Sequence, residues 1–591
     1  MSYQDDMSQR RDAIVAELAP RETLNLFGAS ALFAAPNSGD DAENAVARVE
    51  DIVLTRFGAQ SGGAFAVASM GCFDAFAAMF LLCRWQAEMT EPTRQHIKHI
   101  MTHNIHGRGN TENHWLMHYT AQLLAAEIYT DVDIWWNGLP REIVHAEATR
   151  WILGTIDRTV RIGHHEYDST DYHGWHILPM IALADHAQDP LLRQRASDMA
   201  TLFIADMALE FFKGAWAGGH AREGYRENTW TSVGSSATLI YLYFGGPTFG
   251  SHQTYQDMAP ALSATYQPPE MLNAIANDRN QPRLVKKTKA PRNIFRHVDE
   301  DARPVRKTTY TSRSFALGTT QTGLPGPPAG PIDLVSWDLS WDGAKHEAKI
   351  VSCHPYVDPR RFSAFLSELP QDIGRSVPAA KPYLQFADRL FGASPYEQMM
   401  QHEAAAIVLY RIPADDEHPY VNLYLPRSTT WRQHDGFLLG DAGAFYVMLH
   451  LIGNSTWDSV KDADYVDGWF VRLRGDSVGI VIEASEKDAY ADLDAFAAAF
   501  TADTVDLSNW ESQTKVGYRS LAGDQLEMSY NGDHRVNETV IDYDTWALYD
   551  APEASAQLQS GVVELRHRGE SLTLDFSVDP NRPMLPMRVI G

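Results

Sequence analysis

Cysteine is scarce in this chain. Three occur in 591 residues, Cys72, Cys83 and Cys353, and their spacing matches no metal-binding pattern. Nothing in that spacing requires a disulfide. Cys72 and Cys83 fall in an apolar helical run, where a thiol behaves as a small buried hydrophobe. Positive charge is also short: 50 Lys and Arg stand against 76 Asp and Glu, a formal net charge of −26. A chain this acidic lacks the basic face that nonspecific nucleic-acid binding needs. An anionic substrate remains compatible, because one pocket can be basic on an acidic protein. No apolar run is long enough to cross a membrane. The first twenty residues, MSYQDDMSQRRDAIVAELAP, lack the apolar core of a signal peptide and read as an amphipathic helix. That gives a cytoplasmic expectation, or a periplasmic or secreted one if an export signal has been removed. What is present is ordinary for a soluble protein, with 44% hydrophobic and 21% charged residues. The length calls for two or three domains.

Up to about residue 277 the pattern is helical. Segments 64–89, 91–104, 112–129, 139–160, 189–214 and 229–246 carry apolar residues at helical spacing, and no strand pattern competes. Leu116, Tyr119, Leu123 and Leu124 form one such stripe, with Thr111 as the expected N-cap. Repeated helix pairs suggest a bundle, a solenoid or a closed α/α toroid. Residues 278–307 are basic and hold three prolines, so they read as a solvated linker. The competing reading is a basic arm on an anionic polymer. From residue 308 to 591 short β-branched and aromatic runs between turn residues predict antiparallel sheets packed face to face. One helix, 488–502, interrupts them.

Three polar clusters sit at predicted helix junctions. The densest is GHHEYDSTDYHGWH (163–176), with four histidines, two tyrosines, Glu166 and Asp168 in fourteen residues. The others are HNIHGRGNTENHW (103–115) and GGHAREGYRENTW (218–230). Loops held by a rigid scaffold commonly carry chemistry, so the three clusters are expected to line one pocket. Each has a plain alternative. A lone histidine is more often structural than catalytic. Asn113 beside Thr111 and Glu112 fits helix capping. Arg222 and Arg226 alternate with Glu223 and Glu227, as on a solvated face. Tyr172 and the tryptophans fit a core as well as a cleft.

Helices followed by a large antiparallel sandwich resemble the polysaccharide lyases of the chondroitin AC, hyaluronate and heparinase II/III type. By residue, TENHWLMHYTAQLLA resembles the Asn-His stretch that opens a helix in those toroids. HEYDSTDYHGWHILPMIALADHA resembles a segment whose Tyr faces the cleft, and GGHAREGY resembles a third carrying His and Arg. The resemblance implies an N-terminal α/α toroid, an incomplete barrel of helix hairpins, and a C-terminal antiparallel β-sandwich. It implies Asn113, then His164 or His173, then Tyr172, then Arg222 or Arg226 in the family's order, acting on an anionic polysaccharide or oligosaccharide.

The chemistry such a lyase needs is specific. The proton α to a uronate carboxylate is weakly acidic while the carboxylate is charged. An amide, imidazolium or guanidinium must therefore stabilise the enolate-like charge. Asn113 is expected in that role, supported by Arg222 and His114. Tyr172, His173 or His220 is expected as the base, and a Tyr returns a proton to the leaving oxygen. His164, Glu166, Tyr225 and Arg226 would bind substrate, and Trp115, Trp175 and Trp230 could stack on sugar rings. Two other classes compete. An inverting hydrolase needs two carboxylates, for which Glu112, Glu166, Asp168, Glu223 and Glu227 are available. A noncatalytic carbohydrate-binding protein needs only the β half. No cofactor is expected. His173 and His176 form an i, i+3 pair open to zinc, but with no HExxH motif the metal signal is weak.

Overall fold

The computed structural model describes residues 2–35, 40–58, 70–109, 111–221, 229–230, 234–246, 256–290, 304–321, 334–343, 346–356, 387–392, 394–462 and 466–577. Its helical half contains α1 (Tyr3–Leu18), α2 (Ala29–Ala34), α3 (Asp40–Gly58), α4 (Cys72–Trp85), α5 (Glu91–His103), α6 (Glu112–Ile128), α7 (Arg141–Ile162), α8 (Gly174–His186), α9 (Pro190–Glu210), α10 (Ser236–Phe244) and α11 (Glu270–Asn277). Local signals set several starts. Asp189 accepts the N–H groups of Leu191 and Leu192 just before Pro190 opens α9, and Thr90 accepts the N–H of Thr93 at the head of α5.

Burial sorts the helices into two layers. α6 is buried along nearly its whole length and α8 from Gly174 to Leu183. α7 buries one stripe, Val144, Ala148, Ile152, Ile156 and Val160. A helix apolar on all sides belongs inside, and one with a single stripe belongs outside. Contacts agree: α6 packs between α4 and α8, with α7 against it, and α9 backs α8. This is an α/α arrangement. The N-terminal ends of its inner helices come together. Met70–Gly71, before α4, pairs with His106–Gly107, before α6. Ser236, at the start of α10, accepts the N–H of Gly174, at the start of α8.

The second half is antiparallel β, as the alternating pattern predicts. The large sheet runs in the order 430–434, 437–441, 445–462, 466–486, 421–426, 349–353, 337–341, 315–321, 305–311, 283–289, 549–551, 554–556, 562–567 and 570–575. Strand 405–410 joins it on 466–486 and carries 397–402. The sheet folds over on itself, so Phe315, Leu317 and Trp337 share a core with Val408, Val421 and Ile480. A smaller five-stranded sheet, from residue 505 to 540, closes a second core through Val516, Tyr518 and Met528. The helix expected over 488–502 is one short turn, Leu493–Ala497.

The stretch 278–307 departs from its linker reading. Arg283–Lys289 is a strand between 305–311 and 549–551, and it is largely buried. The physical reason is its period of two. Val285, Lys287 and Lys289 fall on one face, while Lys286 turns to the other side over Trp546. Residues 291–303 lie outside the described residues. The strands end by packing on the helices. Tyr549, Val563, Leu565, Leu574 and Phe576 join the helical core, and buried Arg195 donates to the Phe576 carbonyl and pairs with Asp157.

Two buried carboxyls give the β half a pH signature. Glu397 accepts from the Tyr410 hydroxyl at 2.5 Å and the Ser336 hydroxyl at 2.9 Å. Burial pushes it up to about 7 from an ordinary 4.5, against the pull of those two bonds. Glu483, bonded by Tyr518 and the Leu521 N–H, is likewise pushed up to about 7 by burial. A raised folded value means the folded chain keeps a proton that the unfolded chain releases. The resulting stability is complete below about pH 4.5 and is lost as pH rises through 7. Glu397→Gln mimics the protonated acid. At pH 8.5 it is expected to be more stable than the parent by up to about 3 kcal/mol, with the difference closing toward pH 4.5. Urea unfolding at the two pH values checks this; identical pH dependence in both proteins would contradict it.

Candidate active site

The described parts of the three polar clusters meet on one loop, residues 163–173, between α7 and α8. Gly163 ends α7 at φ +84°, and a Cβ there would sit 2.8 Å from the Thr288 carbonyl. Only glycine lets the helix end so close to the sheet. The loop is then tied to each neighbour in turn. The Tyr167 carbonyl accepts the Ala221 N–H at 3.1 Å, and the Thr170 carbonyl accepts the Ser236 N–H at 2.9 Å.

The tie to α6 is reciprocal. The Glu112 carboxylate accepts the N–H groups of His165 (2.8 Å) and Glu166 (3.1 Å). The Glu166 carboxylate accepts the Asn113 N–H (3.0 Å) and its side-chain amide (2.5 Å). Each acid therefore caps the other's segment. Thr111 holds the N-cap position of α6 but makes no side-chain capping bond; Glu166 supplies that function from across the fold, at the positive end of the helix. Arg158 reaches the other oxygen of Glu112 at 3.3 Å. His176, 1% exposed, holds the Tyr172 carbonyl through Nδ1 at 3.1 Å and turns Nε2 toward Glu166 (3.6 Å) and Glu112 (3.9 Å). A continuous chain of contacts thus runs from Asn113 through Glu166 and His176 to the backbone of Tyr172.

Among the residues expected to act, Asn113 is fully buried, and its side-chain direction is fixed by Glu166. Tyr172 is half-buried at the loop's end, with its N–H on the Ser169 hydroxyl. His114 is half-buried, edge-on to Phe73 at 5.2 Å. His173 is wedged against Trp216 and bonds the Phe203 carbonyl through Nε2 at 2.8 Å. Burial pushes it down to about 4. His164 lies between His173 and His176, centroids 5.4 and 5.2 Å away, and burial holds it well below the usual imidazole range. His220 faces the sheet. Its backbone bridges Val335, its ring bonds the Gly218 carbonyl, and burial pushes it down to about 4. His173 and His220 are both fully buried and bond backbone carbonyls, one beside the loop and one at the sheet contact.

The tryptophans pack as core residues. Trp175 lies between Phe27 and Phe73. Trp115 is covered by Arg108 and Trp151. Trp230 packs on Tyr424. Arg222, Glu223, Tyr225, Arg226 and Glu227 lie outside the described residues.

Behind the loop stands a buried ionic cage that the sequence reading missed. Asp168, in the left-handed region at φ +53°, meets Lys307 at 2.7 Å, Lys289 at 3.4 Å and Lys287 at 3.6 Å. Asp206 and Glu210, from the end of α9, complete three carboxylates against three ammonium groups. Burial would raise Asp168, yet the three lysines hold it well below the usual carboxylate range. The cage clamps the 163–173 loop to strands 283–289 and 305–311.

No protein-family model matches this chain, and no curated protein matches it. Among solved structures it is similar to the chondroitin AC lyase of Streptomyces coelicolor A3, determined in complex with chondroitin sulphate. The two are 10% identical, with 96% of this chain and 87% of that chain covered, at a TM-score of 0.41. The likeness is one of coarse architecture, a helical N-terminal half followed by a large antiparallel sheet.

Proposed function

We propose that the protein is a polysaccharide lyase that cleaves a uronate-containing glycan by β-elimination. The observation that carries this reading is the reciprocal bracket of Glu112 and Glu166, which aims the Asn113 amide from the head of an inner helix. One amide hydrogen is spent on Glu166; the second, buried in the free protein, would bind a uronate carboxylate and the charge that builds on it as the α-proton leaves. Tyr172, the half-buried phenol on the same loop, is the acid and base. Entering as the phenolate, it removes the α-proton, the C–H electron pair forms the new carbon–carbon double bond, the bond to the glycosidic oxygen breaks, and the phenol so formed returns the proton to that oxygen. His114 and the segment 222–226 with Arg222, Tyr225 and Arg226 would hold the anionic sugar.

The same bracket weighs against a hydrolase. Glu112 accepts two backbone N–H groups and Arg158, Glu166 accepts two bonds from Asn113, and Asp168 is enclosed by three lysines. None of these three carboxylates is free to activate a water across a sugar ring; the other two candidates, Glu223 and Glu227, lie outside the described residues.

A panel of alginate, glucuronan, hyaluronan, chondroitin, heparin and ulvan tests the proposal through the ultraviolet absorbance of an unsaturated uronate. The parent protein is expected to generate that absorbance on one polymer class. Tyr172→Phe is expected to lose about 10²–10⁴-fold in kcat while still binding the polymer. Binding without turnover by the parent would instead identify a noncatalytic carbohydrate-binding protein.

A further inference from the structure

We infer that Glu112, Glu166 and His176 form a divalent-cation site of the zinc or manganese class. One oxygen from each carboxylate and one imidazole nitrogen lie within 4.8 Å of one another, and all three residues are buried. The second observation is the state of His176. Its Nδ1 is taken by the Tyr172 carbonyl, an acceptor, so Nδ1 carries the hydrogen. Nε2 is buried, has no hydrogen-bond partner among the described residues, and points into the carboxylate pair. A lone pair facing two carboxylates is repulsive unless a positive centre lies between them. The gaps from Nε2 to the two carboxylates are 3.6 and 3.9 Å. Bonds of about 2.0–2.2 Å to a tetrahedral ion would set its ligands roughly 3.3–3.6 Å apart; the two gaps from Nε2 reach this by closing a few tenths of an ångström, and the two carboxylate oxygens already lie within 4.8 Å of each other.

The surroundings match those of metal ligands. A ligating histidine commonly donates its other N–H to a backbone carbonyl, and ligating carboxylates are themselves hydrogen-bonded. His176 does the first; Glu112 and Glu166 do the second through the amides of His165, Glu166 and Asn113. One nitrogen and two oxygens suit zinc or manganese better than calcium, which prefers oxygen ligands alone. The cation would lock α6, the 163–173 loop and α8 together behind Asn113. The site does not depend on the lyase reading, and its test uses no substrate.

Full-length protein is stripped with a chelator and titrated with Zn²⁺, Mn²⁺ and Ca²⁺, following metal content and melting temperature. One Zn²⁺ or Mn²⁺ per chain is expected, with a rise in melting temperature that Ca²⁺ does not reproduce. His176→Gln is expected to weaken binding by at least about 100-fold. His99→Gln, in the exposed stacked pair with His103 on α5, is expected to leave it unchanged. If His176→Gln does not fold, pulsed electron paramagnetic resonance of the Mn²⁺-loaded parent decides, with one imidazole nitrogen expected on the ion. Absence of a bound equivalent, binding that survives His176→Gln, loss of binding in His99→Gln, or an ion with no imidazole nitrogen would each overturn the inference.

Discussion

Asn113→Ala is expected to lower kcat on the cleaved polymer by about 10²–10³-fold, with a smaller change in KM. The amide is asked to stabilise charge that exists only as the α-proton departs, so its loss falls on the transition state. Glu166 enters through this residue. It fixes the amide's direction at 2.5 Å and holds the Asn113 backbone at 3.0 Å. The backbone bond survives truncation to alanine, so the bracket between α6 and the loop persists and the fold is expected to be retained. Asn113→Asp is the sharper variant, because it sets a carboxylate against both Glu166 and the uronate. It is expected to be at least as inactive as the alanine variant. Initial rates on the polymer, paired with melting curves, separate lost chemistry from lost folding. Full activity in either variant would remove Asn113 from the reaction.

Lys307→Met is expected to destabilise the protein by about 3–5 kcal/mol. Lys307 Nζ lies 2.7 Å from Asp168 and 2.8 Å from Glu210, fully buried. The cage is balanced, three carboxylates against three ammonium groups. Removing one cation leaves three buried carboxylates against two ammonium groups, one negative charge in excess. Glu210 would keep the Trp216 indole and the Thr309 hydroxyl as donors, whereas Asp168 would lose its shortest contact. The sign of the pH dependence follows from the same groups. Asp168 and Asp206 are held low by the lysines despite burial. Their contribution is complete above about pH 4 and is lost as pH falls through their lowered values. Lys287 is raised by its three acidic neighbours against the opposing effect of burial. Its contribution is lost only as pH rises through that raised value, above the usual lysine range. The parent's cage is therefore expected to contribute evenly from pH 5 to 9, and the penalty of Lys307→Met to ease as pH falls, because a buried carboxylate that has lost a cation takes up a proton more readily. Chemical unfolding across that range checks it; a change under 1 kcal/mol would show the cage to be dispensable.

The architecture was legible because burial leaves a period in the sequence. The stripe Leu116, Tyr119, Leu123 and Leu124 gave a helix, and α6 is one. The runs from residue 308 onward alternate or are apolar throughout, and they are strands. The stretch 278–307 was misread because lysine signals solvent in composition. Lys287 and Lys289 alternate with Lys286 and Thr288, and that period marks a strand whose charges are paired inside. Their partners Asp206 and Glu210 lie about eighty residues earlier, and only the fold joins them. The candidate site was legible as a place and not as a set of roles. Histidines crowding 163–176 marked the loop to which α6 and the residues around 221 are tied. Which of them are enclosed depends on Phe203 and Trp216, which pack in from α9 and the residues after it. The bracketing role of Glu112 depends on a loop about fifty residues further on, which no local spacing reveals.

The central claim is that the bond breaks by elimination, without water entering the product. Digestion of the responsive polymer in ¹⁸O-labelled water, read by mass spectrometry, tests it most directly. The account predicts unsaturated oligosaccharides, each lighter by one water than a hydrolysis product and free of label from the cleavage step. Saturated oligosaccharides carrying ¹⁸O at the newly cut end would contradict it.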